Sequence, residues 1–155
     1  MKNKIDTEFS NKLILSGKQC PYCNGKSEYV DSSEVYSKSY GMIYLCRKCM
    51  AWVGTHKGTE QSLGRLADKL LREAKKKAHY YFDQLWNEKL RIWMKKKDNH
   101  SKKEISAMRR IVRNQAYNRL SQKMELPSEH THIGMFNVAR CVQVIKICKP
   151  YCKNE

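Results

Sequence analysis

Two Cys-x-x-Cys pairs constrain the folding of this chain more than any other feature. Cys20-Pro21-Tyr22-Cys23 and Cys46-Arg47-Lys48-Cys49 flank residues 24–45. Two tight turns at that separation can present four thiolates to one tetrahedral Zn²⁺. Four cysteine ligands close the coordination sphere and leave no position for water or substrate, so the metal expected here is structural. The competing reading of the same residues is a pair of buried or redox-active Cys-x-x-Cys units.

The segment around the pairs has the residue pattern of short strands. Glu28-Tyr29-Val30, Met42-Ile43-Tyr44-Leu45 and Ala51-Trp52-Val53 are brief runs rich in β-branched and aromatic residues. Gly25 follows the first pair, where a knuckle turn calls for positive φ, and Met50 occupies the matching place after the second. The order expected is knuckle, strand, excursion, strand, knuckle, strand, which is that of a zinc ribbon. Residues too few to build a large core would then draw much of their folding free energy from the metal.

From Ser62 the apolar period changes to three-and-four spacing, running through Leu66, Leu70, Ala74, Ala78, Phe82, Leu85, Leu90 and Trp93. Ser62 is the expected N-cap, and 62–97 forms either one long helix or two that break near Asp83, of which two helices or a kink are expected. Ser101 and Glu104 have the spacing of a capping box for a helix from Lys102 to about Met124. Its expected inner face holds Ile105, Met108, Ile111, Val112, Gln115, Tyr117 and Leu120. Asn137 can cap a last helix over Val138–Cys148, which Lys149-Pro150 ends. The fold class is therefore α+β, an N-terminal zinc ribbon packed with a basic helical C-terminal region. The divisions are a polar leader (1–17, with a helical turn around Phe9–Leu15), the ribbon (18–60) and the helical domain (61–155).

Charge separates the two parts. The chain carries 31 Lys+Arg against 15 Asp+Glu, a formal +16. Residues 1–60 hold 9 and 6, while 61–155 hold 22 and 9, giving +3 and +13. A zinc held by four thiolates adds −2, so the first part is close to neutral (+3 − 2 = +1). The surplus on the helices calls for an acidic partner, most often nucleic acid. Anionic membrane and acidic protein surfaces are the other partners such a charge can serve. The candidate contacts are Lys95, Lys96, Lys97, Lys102, Arg109, Arg110 and Arg113. Arg109 and Arg113, with Lys102, recur at helical spacing and can follow phosphates along one side. Such charge runs are also ordinary solvated faces. Between the cysteine pairs, Tyr36 and Tyr40 can stack on bases or anchor a protein interface, or, with Met42 and Tyr44, cover the ribbon.

Other groups point nowhere as clearly. Cys141, Cys148 and Cys152 with His132 could bind a second metal, but the spacing lacks a knuckle, and buried, inert cysteines on one helical face plus one tail thiol are expected instead. His56, His130 and His132 have no accompanying acidic motif, and His132 is expected to orient a turn. The zinc-deaminase order of His-x-Glu before Pro-Cys-x-x-Cys is absent, and no acidic motif marks a Mg²⁺ nuclease. A non-enzymatic protein without a small-molecule substrate is expected. No signal peptide or membrane-length apolar run is present in the sequence, which points to a reducing compartment.

Several blocks together resemble a known family. Cys20-Pro-Tyr-Cys23, Val30-Asp-Ser-Ser-Glu-Val-Tyr36, Ser39-Tyr-Gly-Met-Ile-Tyr-Leu-Cys46 and Val53-Gly-Thr-His-Lys-Gly-Thr59 form one group. Leu63-Gly-Arg-Leu-Ala67, Lys77-Ala-His79, Phe82-Asp83, Leu85-Trp86 and His132-Ile-Gly-Met-Phe136 form another. Over most of residues 20–145 they resemble small phage and prophage zinc-finger-containing proteins whose domain is of unknown function. The resemblance implies a mobile-element origin and a bacterial host cytoplasm, and carries over only Cys20, Cys23, Cys46 and Cys49, as zinc ligands. Lys95–Arg113 departs from the family pattern as an extended basic segment. Two functions are expected from this: binding of nucleic acid or a nucleoprotein through the basic helices, or, as the alternative, inhibition of a host defence nuclease (an anti-CRISPR protein) by protein–protein binding.

Overall fold

The computed structural model describes residues 9–153. These divide into two units: one runs to Glu73 and takes in Gly134–Phe136, and the other holds Ala74–Ile133 and resumes at Asn137.

The first unit is built on strand β2 (Met42–Cys46), with β1 (Glu28–Asp31) and β3 (Ala51–Gly54) antiparallel on either side. Ile43, Tyr44, Leu45 and Cys46 are all buried, as a central strand covered on both faces requires. The register pairs Tyr44 with Tyr29 and Val53, and Cys46 with Ala51. Side chains two apart share a face, so Tyr44 and Cys46 lie with Ala51 and Val53, and Cys20 and Leu66 complete that cluster. The expected strands are thus present. Helix α1 (Lys12–Leu15) precedes them, its first amides capped by the Asn11 side chain.

The segment 62–68 departs from expectation. It is extended, and no helix begins at Ser62. Thr55 bridges Ser62, and Trp52 and Ala67 exchange two backbone hydrogen bonds of 3.0–3.1 Å along the open edge of β3. Gly64 has φ +146°, which a helix cannot contain, and its missing Cβ admits the Gly134 carbonyl, which accepts from Arg65 N–H at 3.2 Å. Leu66 and Ala67 are buried by sheet packing, which mimicked a helical period over too few residues to tell the two apart. Leu70, the next apolar member of the pattern, lies in the helix that follows and is exposed.

Helix α2 starts at Lys69, where Asp68 Oδ1 accepts Leu71 N–H at 2.8 Å, and continues to Met94. It does not break at Asp83. With no proline or glycine in its 26 residues nothing interrupts the ladder, and Asp83 turns its carboxylate to Trp86 Nε1 at 2.8 Å within the same helix. In the second unit α2 buries Ala78, Phe82, Trp86 and Leu90. Helix α3 (Lys102–Met124) opens with the expected capping box, Ser101 and Glu104 satisfying each other's backbone N–H. Its inner face lies further along than expected. Val112, Leu120, Ser121 and Met124 are buried, whereas Ile111 and Gln115 are exposed and Ile105, Met108 and Tyr117 half-buried. Helix α4 (Val138–Cys148) is capped by Asn137 and buries Cys141, Val144 and Cys148.

Candidate metal centre and basic groove

Each knuckle turns through a residue of positive φ directly after its second cysteine: Asn24 (58°) in the first and Met50 (48°) in the second. Gly25, expected to take that role, does not. Asparagine tolerates the left-handed region, and Gly25 serves instead through its backbone, its C=O accepting Cys20 N–H at 2.8 Å and its N–H reaching the Cys23 thiol. Tyr22, between the first pair, accepts Asp68 N–H at 3.1 Å and so ties the knuckle to the start of α2.

The four Sγ atoms lie within 4.8 Å of one another, and Cys23 and Cys46 are 3.7 Å apart. Tetrahedral zinc with Zn–S bonds of about 2.3 Å requires S···S edges of about 3.8 Å. The donor set and its spacing fit one structural Zn²⁺. The thiols are unequal in the absence of metal. Gly25 N–H, followed by the neighbouring Cys49, draws the Cys23 pKa down to about 7. Burial raises that of Cys46 and pushes Cys49 up to about 12. A dication removes this conflict by holding all four as thiolates. Among the described residues these cysteines are the one group of three or more His, Cys, Asp or Glu side chains able to share an ion. Cys141 and Cys148 are buried, and burial pushes the Cys148 thiol up to about 11, while Cys152 Sγ points at the Tyr81 carbonyl at 3.3 Å.

The excursion between the pairs is shaped by its serines. Asp31 accepts from Ser33 N–H and Ser39 Oγ, and Ser32 Oγ accepts from Tyr40 N–H. This holds Tyr36 and Tyr40 edge to face, 5.6 Å apart, at 45% and 69% exposure. Tyr36 also meets Trp52 edge to face and accepts its indole N–H at 3.2 Å, and the Arg72 guanidinium lies 3.5 Å over the Trp52 ring. Trp52 and Arg72 were not anticipated as members of this cluster. Their approach depends on the Trp52–Ala67 pairing, which has no local signal.

The basic residues fall into two sets. Lys95, Lys96 and Lys97 follow the last turn of α2 and are exposed, as is Lys102 at the head of α3, and Lys97 Nζ is 3.6 Å from Glu104. Arg109, Arg110 and Arg113 instead line one cavity of about 590 Å³, together with Trp86 and the 128–132 loop. Helix spacing explains the grouping. Arg109, Arg113 and Tyr117 form one i, i+4 row, and Ser106, Arg110, Asn114 and Asn118 a second. No carboxylate lines the cavity. Seven cations of α3 face a single acid, Glu104, which is engaged at the N-cap. Burial raises the Tyr117 pKa, and the adjacent Arg113 charge opposes the rise. His132, expected to orient a turn, lies stacked on Tyr117, rings 4.9 Å apart at 14°. Among the described residues no helix is long and apolar enough to cross a membrane.

A family model described as a zinc-finger-containing domain matches residues 16–101 and 87–151. No curated protein and no solved structure matches the chain.

Proposed function

The chain belongs to the zinc-finger-containing family matched over most of its length, and from that premise we propose that it is a non-enzymatic accessory protein, of phage or prophage origin, that binds nucleic acid by its phosphates. The observation that carries the reading is the concentration of Arg109, Arg110 and Arg113 around one cavity without a carboxylate in its lining. Guanidinium groups suit bidentate phosphate contacts. The zinc staples the first unit and leaves the chemistry to the second, where its closed coordination takes no part.

Binding through phosphates releases counterions, so affinity should fall steeply with salt. Three arginine contacts to a single strand give a slope of log K on log salt of about −2, and Lys95–97 and Lys102 steepen it. Fluorescence anisotropy with labelled oligonucleotides, titrated over a range of salt, measures this slope. Arg109→Ala and Arg113→Ala should each flatten it by about 0.7. Absence of binding at low salt overturns the reading.

A second reading rests on exposed Tyr36 and Tyr40 beside half-buried Trp52 and Arg72, residue types that dominate protein interfaces. In it the protein docks on a host defence nuclease and blocks it, as an anti-CRISPR protein would. Affinity capture before and after nuclease treatment separates the two: a protein partner that survives the treatment and is lost with Tyr40→Ala favours inhibition.

A further inference from the structure

A column of aromatic rings leads from the core of the second unit to the mouth of the arginine cavity. Phe82, fully buried, packs on half-buried Tyr117 with ring centres 4.4 Å apart, and Tyr117 in turn carries His132 in near-parallel stacking. His132 is exposed and lines the cavity. The column therefore ends in an imidazole at the surface, beside Arg109 and Arg113. A fourth ring placed on His132 would continue it.

The cavity has the size and polarity of a nucleotide seat. Its volume of about 590 Å³ lies within the range usual for small organic ligands. The Tyr117 hydroxyl is buried beside the Arg113 guanidinium and the Ile133 N–H, which holds the ring in place beneath the imidazole. Asn114 and Asn118 add amides able to donate and accept at base or sugar edges. The carboxylate that acts on Arg113 is Asp83, and its oxygens are already engaged by Trp86 Nε1 and, at 3.9 Å, His79. It offsets part of the Arg113 charge without lining the cavity.

We infer that this cavity seats one nucleotide of a single strand, its base stacked on His132 and its phosphate held by Arg109 and Arg113. The inference rests on the phosphate-binding reading and adds to it a preference for single strands. Bases inside a duplex are stacked on their neighbours and cannot offer a face to the imidazole.

The test uses the zinc-loaded full chain with a labelled dT or U 12-mer and a 12-base-pair duplex at one low salt concentration. Stacking of a base on a ring is worth ~1–3 kcal/mol, so His132→Ala should weaken single-strand binding by roughly tenfold. Duplex affinity should be unchanged, because phosphate contacts alone carry it. His132→Phe, which keeps an aromatic face, should restore single-strand affinity, and this guards against a merely structural effect of the alanine. Nuclear magnetic resonance with UMP should shift the His132 ring signals, whereas inorganic phosphate should shift Arg109 and Arg113 and leave the ring in place. Equal effects of His132→Ala on both nucleic acids, or none on either, overturn the nucleotide seat while the phosphate reading stands. Failure of the unmodified protein to bind either nucleic acid removes both.

Discussion

The close approach of Gly64 to Gly134 separates a steric demand from a conformational one, and a pair of alanine substitutions can measure the difference. Gly64 and Gly41 both have positive φ, +146° and +114°. An alanine at either site is strained, by roughly 1–3 kcal/mol. Their surroundings differ. A Cβ at Gly41 meets nothing within 4 Å, whereas one at Gly64 overlaps the Gly134 carbonyl and comes within 3.0 Å of Gly134 Cα. Both neighbours are backbone, so no side chain can swing aside. Gly64→Ala must push the two strands of chain apart, losing the Arg65–Gly134 hydrogen bond, worth about 1 kcal/mol, and loosening the packing of buried Leu66. Gly64→Ala should therefore cost about 1–2 kcal/mol more than Gly41→Ala. Urea unfolding of the zinc-loaded variants measures the totals. Amide exchange at Trp52 and Ala67, whose mutual hydrogen bonds report on the 62–68 segment, should be accelerated by roughly fivefold or more in Gly64→Ala relative to Gly41→Ala. Equal losses in the two variants would refute the reasoning, and with it the placement of 62–68 along the edge of β3.

Removing the metal should unfold the first unit selectively. Chelation, or Cys20→Ser, is expected to abolish the ordered sheet signals of residues 42–54 while helical circular dichroism from α3 and α4 persists, and metal analysis should return one zinc per chain. Acid should release the zinc, and the sign follows from the thiols. Bound zinc holds them ionised, below their unfolded value of about 8.5, so the stabilisation is present above that value and is lost as pH falls through the bound-state one. With burial raising Cys46 and pushing Cys49 up to about 12 in the metal-free form, zinc uptake near neutral pH should release more than one proton, measurable by calorimetry in buffers of different ionisation enthalpy. Ser101→Ala removes the acceptor for Glu104 N–H and should destabilise α3 by about 1 kcal/mol in urea unfolding, with fraying confined to its first turn.

Local chemistry made much of the fold legible. Expected strands at 28–30, 42–45 and 51–53 compare with β1, β2 and β3 at 28–31, 42–46 and 51–54. The caps at Ser101 and Asn137 were readable because a side chain three residues from its partner amide is a local event. The segment 62–68 was not, because its conformation is set by Trp52 and Gly134, both distant in sequence. Gly64 was the available sign: a glycine early in an apparent helix, here required by φ and by a neighbouring backbone. The knuckles show the same limit on a smaller scale, since Asn24 and not the adjacent Gly25 takes the left-handed position.

The metal ligands were legible and the groove only half so, for one physical reason. Zinc ligation repeats a short local spacing twice, and four cysteines have few other ways to meet. The groove needs α3 to be read together with a loop that returns to it. Arg109 and Arg113 were visible as one row of a helix, but Tyr117, the next residue of that row, was expected to face inward and not to line a cavity. His132 was expected to orient a turn, and its place on the Tyr117 ring had no local signal, because it depends on stacking against a residue of another element. The proposed phosphate binding takes its support from two rows of i, i+4 residues carrying three arginines and two asparagines, together with the Tyr117 ring. A solvated face spreads its charges around the cylinder and intersperses acids. Here the one acid of α3 is drawn to its N-terminus, where the capping box and the positive end of the helix both favour it. The remaining length carries cations alone, and the proposed phosphate binding rests on this arrangement.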